Sequence, residues 1–267
     1  MPNAEETLMS QVRAGCILAL LFVPAGALVQ GQEAGLQREL PAAEDFRLVN
    51  AEVRAGTLDG SSALRMAGDE AVLASVAAKR REVMQELRAR GERPGPEAFE
   101  AVRKNFLAVV EDIDFGDGTI EVDLAGQPAA GAQGGARGFV GVAFRVQEDD
   151  ETYDCFYVRP TNGRADDQVR RNHSAQYISH PEWTWFRLRE QTPGKYETYV
   201  DIGPAEWIAV KIVVAGETAR LYVNGAAQPT LIVNDLKSGA EARGRVALWI
   251  EGSTVAHFRN LRISPAG

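Results

Sequence analysis

Between Arg159 and Tyr177 the chain concentrates groups suited to holding oxygen. They are Arg159, Arg164, Arg170 and Arg171, Asp166 and Asp167, Asn162 and Gln176, with His173 and Tyr177 beside them. Guanidinium forks bind oxygen pairs in one plane through two parallel hydrogen bonds. An imidazole titrates near neutrality, which makes His173, and His180 beyond it, candidate general bases. Three roles stay open for Asp166 and Asp167: general acid/base groups, a calcium pair completed by Asn162, or counter-ions for Arg164, Arg170 and Arg171. Loop charges of opposite sign pair readily at little net energy. Calcium asks for several oxygens in a tight turn, and no Asp-x-Asp-x-Asp-Gly string is present. No His/Cys zinc spacing occurs either.

Strand phasing ties this loop to a surface. In Phe139 to Val146, Val140, Val142, Phe144 and Val146 share one face, which leaves Phe139, Gly141, Ala143 and Arg145 on the other. In Thr152 to Arg159 the same rule sends Tyr153, Cys155, Tyr157 and Arg159 away from the core. The alternation places Trp183 and Trp185 together on one face of a further strand, with Tyr196 and Tyr199 following. Rings stack on the apolar faces of pyranosides while planar polar groups bond the hydroxyls, so this combination fits a sugar or another oxygen-rich small ligand. Trp207 and Trp249 lie in apolar strands and read as core.

The elements that must position these groups are mostly strands. Phe46 to Arg54 and Ser61 to Met66 flank an Asp59-Gly60 turn. Val72, Val76, Val83 and Leu87 then repeat with helical period, and Phe99, Val102, Phe106 and Val109 predict a second helix behind Pro96. Together they make an amphipathic helical hairpin inserted over 69–111. From Gly118 onward, short strands recur with Gly, Asn and Pro between them: 118–124, 139–146, 152–159, 174–179, 183–189, 195–201, 207–215, 218–223, 230–233, 245–250 and 256–263. That pattern predicts an all-β sandwich or barrel.

The net charge of −8 and pI near 5.1 argue against nucleic acid or an anionic membrane as general partner. Arg13 precedes the apolar run Cys16 to Val23, followed by Pro24 and small residues to Gly31, the layout of a secretory signal peptide over 1–31 and too short for a comfortable span. The expected protein is secreted or periplasmic, with no stable membrane span after cleavage. A linker over 32–43 and one domain over 44–267 follow. Cys155 is then the only cysteine, so no internal disulfide forms.

The runs Gly118 to Asp123, Gly138 to Arg145, Phe156 to Arg164, Arg220-Leu-Tyr-Val-Asn-Gly225 and Ala256 to Ile263 resemble the concanavalin A-like lectin/glucanase superfamily. Within it they are similar to bacterial laminin G-like proteins and 3-keto-disaccharide hydrolase-like domains. The resemblance implies a jelly-roll sandwich of two antiparallel sheets, one concave, often carbohydrate-directed, with calcium a frequent companion. Retaining glucanases of the superfamily carry Glu-x-Asp-x-x-Glu; here Glu121-Val-Asp123 is followed by Leu-Ala-Gly126, so the second glutamate is absent. Glu121 and Asp123 share a strand face and are either a carboxyl pair at the about 5 Å or larger separation a glycosidase needs, or ordinary exposed sheet charges. Two functions follow: a sugar-binding concave face that hydrolyses a keto- or ordinary disaccharide, or a non-catalytic laminin G-like adhesion module.

Overall fold

A computed structural model describes residues 36–38, 42–132 and 134–266. The apolar run read as a signal peptide lies outside them, as does most of the stretch read as a linker. Within that stretch Leu36–Arg38 form β1. The remaining strands are β2 (Arg47–Val49), β3 (Ala51–Leu58), β4 (Ser61–Gly68), β5 (Phe106–Phe115), β6 (Gly118–Pro128), β7 (Val140–Val146) and β8 (Tyr153–Val158). They continue with β9 (Ala175–His180), β10 (Glu197–Thr198), β11 (Ile208–Ala215), β12 (Thr218–Val223), β13 (Leu231–Val233), β14 (Gly244–Ile250) and β15 (Thr254–Pro265). Four helices, α1 (Glu70–Ala89), α2 (Pro160–Gly163), α3 (Gln168–Arg171) and α4 (Trp185–Gln191), and a 3-10 segment at Pro96–Val102 complete the ordered elements used below.

The strands form two antiparallel sheets, ordered β13-β12-β11-β6-β15-β4-β3, with β1 also on β15, and β10-β9-β8-β7-β14-β5-β2. This is the jelly-roll sandwich the sequence implies. The two sheets differ in how they meet water. In the first, β6 and β11 alternate: Ile120, Val122, Leu124, Ile208, Val210, Ile212 and Val214 are buried, while Glu121, Asp123, Ala209 and Lys211 face outward. In the second, every residue of β7, β8 and β9 is buried. The outward side chains of these three strands are shielded by their neighbours, whereas Glu111, Asp112 and Asp114 of β5 in the same sheet are exposed. Its inner face carries the stacked rings of Phe144 and Phe156, 6.1 Å apart, against Phe115.

The hairpin of β3 and β4 turns at Asp59 and Gly60 with φ of +49° and +74°, the left-handed pair a two-residue hairpin turn requires. The first limb of the expected helical insertion is α1, capped by Asp69, whose side chain accepts from Val72 N at 2.9 Å. The second limb is a correction: helical structure stops at Val102, and Phe106 and Val109 lie in β5, between β14 and β2. Phe106 to Val110 is an unbroken apolar run buried on both sides, and such a run satisfies helical spacing by accident. The segment 183–189, expected as a strand, also differs. Trp183 makes a two-bond bridge to Ser179, and α4 starts at Trp185. The expected strand over 195–201 contracts to the two residues of β10.

Arg145 is the other correction that the fold forces. Strand parity would place it beside Gly141 and Ala143, but the ladder between β7 and β14 slips there and Arg145 adopts φ +55°. This bulge carries the side chain to the end of the sandwich. It is 1% exposed and donates to Gly116 O, Gly216 O, Gly239 O, Ser238 Oγ and Asp117 Oδ1 at 2.7–3.2 Å. Ser238 in turn donates to buried Asp154. Arg145 ties three turns together and is a structural residue. Replacing it with Ala leaves those carbonyls without a donor, so Arg145→Ala should lose about 3 kcal/mol of stability by urea denaturation.

Candidate functional site on the seven-stranded sheet

Antiparallel register aligns one side chain from each strand across the outer face of the second sheet. Val49, Leu107, Trp249, Gly141, Tyr157, Gln176 and Glu197 are successive ladder partners from β2 to β10. The line runs from apolar to polar. At its centre the rings of Trp249 and Tyr157 stack across Gly141 with centroids 5.0 Å apart and planes at 27°. A Cβ on Gly141 would lie 2.2 Å from Phe156 O and 2.6 Å from Tyr157 Cα, so only glycine lets the two strands carry their rings this close.

The polar half is a connected network. Arg159, 5% exposed, donates from Nη2 to Tyr157 Oη at 2.8 Å and Gln176 Oε1 at 3.3 Å, and from Nη1 to His173 O at 2.7 Å. Its guanidinium also lies over the rings of Tyr157 and Phe139. Gln176 is held in place by donating to Tyr177 O and Tyr196 O. Glu197, 7% exposed, accepts a bidentate pair from Arg189 at 2.6 and 3.0 Å, and its Oε2 lies 2.9 Å from His173 Nδ1. Arg189 is supported by Trp185, its guanidinium 4.8 Å from the ring. Asn162 donates to the same His173 carbonyl at 3.3 Å and meets Arg170 Nη2 at 3.5 Å.

Burial sets the protonation states. It pushes the Tyr157 phenol up to about 12, so the ring keeps its proton. Among the described residues the Tyr157 hydroxyl accepts from Arg159 and has no acceptor for its own proton. Burial lowers the pKa of His173, with the Glu197 carboxylate opposing it, which leaves a neutral imidazole whose Nδ1 lies against a carboxylate. That is the arrangement of a general base. At the other end of the face His180 stacks on Tyr153 at 4.9 Å and is held at about 3 by burial and by the nearby charge of Arg103. Segment 96–103 is tied to α4 through Glu100 and Arg187, 2.7 Å apart.

Of the residues the sequence suggested, Tyr157, Arg159, Asn162, Arg170, His173, Gln176 and Trp185 come together here. Others do not. Tyr177 points into the sandwich and donates to Asp154 at 2.6 Å, while Tyr196 donates to Asp235 at 2.6 Å, and Lys237 spans Tyr196 and Trp183. Arg164 is exposed and pairs with Asp201 and Glu206, and Arg171 stacks on Tyr199. Asp166 and Asp167 are exposed, and Asp167 caps α3 by accepting from Arg170 N at 3.1 Å. Neither neutralises the loop arginines. Glu121 lies on the outer face of the other sheet, 3.5 Å from Arg262, and Asp123 beside Arg259 and Asn260, which is the exposed-charge reading. Among the described residues no three His, Cys, Asp or Glu side chains converge as a cation cage, so the calcium expectation finds no such cluster.

Glu197, Arg189 and the outward placement of Trp249 escaped sequence reasoning. A strand of two residues has no readable period, and Trp249 sits in the unbroken apolar run of β14. Gly141 opposite an aromatic pair was the available signal.

All three histidines have lowered pKa values, burial being the first cause in each. An unfolded imidazole binds its proton below about 6.5, whereas the folded His180 stays neutral until about 3. The folded state therefore binds fewer protons in that window, and stability falls as pH drops through it. Urea titrations of wild type and His180→Phe at pH 7, 5.5 and 4.5 should show wild type losing up to about 1 kcal/mol per pH unit relative to the variant.

Comparison with known proteins gives three solved structures of interest. A carbohydrate-binding module, CBM66 from Bacillus subtilis, aligns with TM-score 0.44 and 11% identity over 82% of this chain and 98% of its own. A galectin-like protein from the same organism gives 0.47 and 12% over 87% and 96%. Domain 4 of AbnA, an extracellular arabinanase from Geobacillus stearothermophilus in complex with arabinotriose, gives 0.41 and 10% over 80% and 76%. A search of curated proteins returns no match. Among the described residues no helix is long and apolar enough to cross a membrane. The family model for the 3-keto-alpha-glucoside-1,2-lyase-like domain matches residues 94–264, more than half of the chain, and the protein belongs to that family.

Proposed function

We propose that the outer face of the seven-stranded sheet binds a glycoside carrying a ketone at C3 and removes the proton at C2. The observation that carries this reading is the buried network joining Tyr157, Arg159, Gln176, His173 and Glu197. The Trp249 and Tyr157 rings form its apolar edge. A ketone at C3 acidifies the C2 proton, because its removal makes an enolate. His173, with Nδ1 on Glu197, takes that proton at Nε2. The Tyr157 hydroxyl and Arg159 donate to the C3 oxygen as negative charge gathers there. The electron pair then forms the C1–C2 double bond as the C1–O bond breaks, and the leaving oxygen departs with the proton that His173 Nε2 had taken, which returns the imidazole to its neutral form. Addition of water across that double bond would complete net hydrolysis.

Elimination suits this site better than two-carboxylate hydrolysis. Glycosidases of that kind need two working carboxyl groups. Glu197, the acid in this network, is engaged by Arg189 and His173. The apolar run Cys16 to Val23 supports export of the domain, and amino-terminal sequencing of the mature protein should find a start after Ala27 or Gly31.

The test is turnover of 3-keto-glucosides in heavy water, with deuterium at C2 read by mass spectrometry. His173→Ala should lower kcat by about 10²–10⁴. The acid limb of the rate profile should fall as His173 gains a proton, with its midpoint below the ordinary histidine value, since burial lowers that pKa. Full turnover by His173→Ala would overturn the assignment, and sugar binding with no turnover of any keto-glycoside would favour the non-catalytic laminin G-like module.

A further inference from the structure

We infer that the ligand of this face carries a permanent oxyanion, a carboxylate, sulfate or phosphate group on the sugar, seated by Arg170 and Arg137 beside the reacting carbonyl that Arg159 holds. The inference rests on the sugar-site reading above and adds the substrate class. Among the described residues these three arginines form no ion pair. Arg159 reaches only neutral acceptors. Arg137 donates to the carbonyls of Gly134 and Ala136, and Arg170 only to Asn162, its Nε buried without a partner.

Their positions converge. Arg159 and Asn162 both bond the His173 carbonyl, Arg170 meets the Asn162 side chain, and Thr161 N donates to the Arg137 carbonyl at 3.3 Å. Burial and then the nearby charge of Arg170 lower the pKa of Arg137, and burial lowers that of Arg159, with the charges of Arg189 and Arg137 adding to it and Tyr157 and Glu197 opposing it. The only carboxylate in the network, Glu197, is taken by Arg189 and His173. Like charges held together in partly buried positions are costly unless an anion is to join them. The chain has ample acids to avoid this arrangement, 37 against 29 Lys and Arg. Exposed Arg164 next in the loop has two carboxylates to itself. A transition-state enolate alone would be served by Arg159 and Tyr157 at the reacting carbonyl. Arg170 and Arg137 add charge beyond it, where a group charged in the ground state would sit.

The experiment is calorimetric titration of the full chain with glucose, glucuronate, glucose 6-sulfate, glucose 6-phosphate and inorganic sulfate. At least one charged sugar should bind about tenfold more tightly than glucose, and the advantage should shrink as sodium chloride is raised. Which of the three charged sugars wins identifies the anion. Arg170→Ala and Arg137→Ala, both at half-buried positions, should each weaken the charged sugar by about tenfold and glucose by less than about twofold. Glucose binding as tightly as every charged sugar, or an equal loss for both classes in the variants, overturns the inference. Turnover of a neutral keto-glucoside with intact His173 dependence and no charged preference would remove this inference alone. Failure of every sugar to bind would remove the site itself.

Discussion

The hydrogen-bond ladders that pair β7 with β14 on one side and β8 on the other bring Trp249, Gly141 and Tyr157 into one line. Everything polar at the site hangs from that line. Because side chains alternate with a period of two, the same register sends Phe156 inward to Phe144 and Tyr157 outward to Trp249. A slip of one residue would exchange the core for the site. Gly141 is the element that permits the stack, since any side chain there would meet the backbone of the neighbouring strand.

From this line the electrostatics follow by burial. Arg159 extends the strand and finds Tyr157, Gln176 and a carbonyl as acceptors, none of them charged. Glu197 closes the line at the sheet edge and is shared between a guanidinium and an imidazole. Burial keeps the His173 imidazole neutral against the pull of Glu197, whose carboxylate accepts from Arg189 and lies 2.9 Å from the ring nitrogen. A neutral ring is what proton abstraction requires. Away from the site the bulge at Arg145 performs an opposite task. It withdraws a guanidinium from the face and spends it on three turns at the sandwich end. Two buried arginines thus have separate employments, one tying turns at the sandwich end and one held on the outer face of the sheet.

Much of this was legible beforehand, element by element. Regular alternation identified β6, β7, β8, β11 and β12 because each has one apolar face toward the other sheet, and it placed Tyr157 and Arg159 on a polar side with Gly141 opposite. Asp59-Gly60 marked its hairpin by backbone chemistry alone. Failures came where periodicity carries two meanings. Phe99, Val102, Phe106 and Val109 satisfy a helix, but the last two belong to a strand buried on both faces. Trp183 and Trp185 look like strand alternation, yet the chain turns at one and begins α4 at the other.

What the sequence determined by itself is the local chemistry: the strand phases, the hairpin turn, the acidic balance, and a loop rich in arginine next to an aromatic strand. These depend on near neighbours in the chain, where sterics and alternation act. Which of the charged groups would meet was decided by tertiary structure alone. Glu197 reaches His173 only because β10 pairs with β9, and Arg145 leaves the face only because the ladder slips opposite Val246. The loop from Arg159 to Tyr177 is divided the same way, with Arg164 drawn outward to Asp201 and Glu206 while Arg159 and Arg170 stay without a carboxylate. Pairing over dozens of residues depends on which strands lie side by side, and no local pattern encodes that.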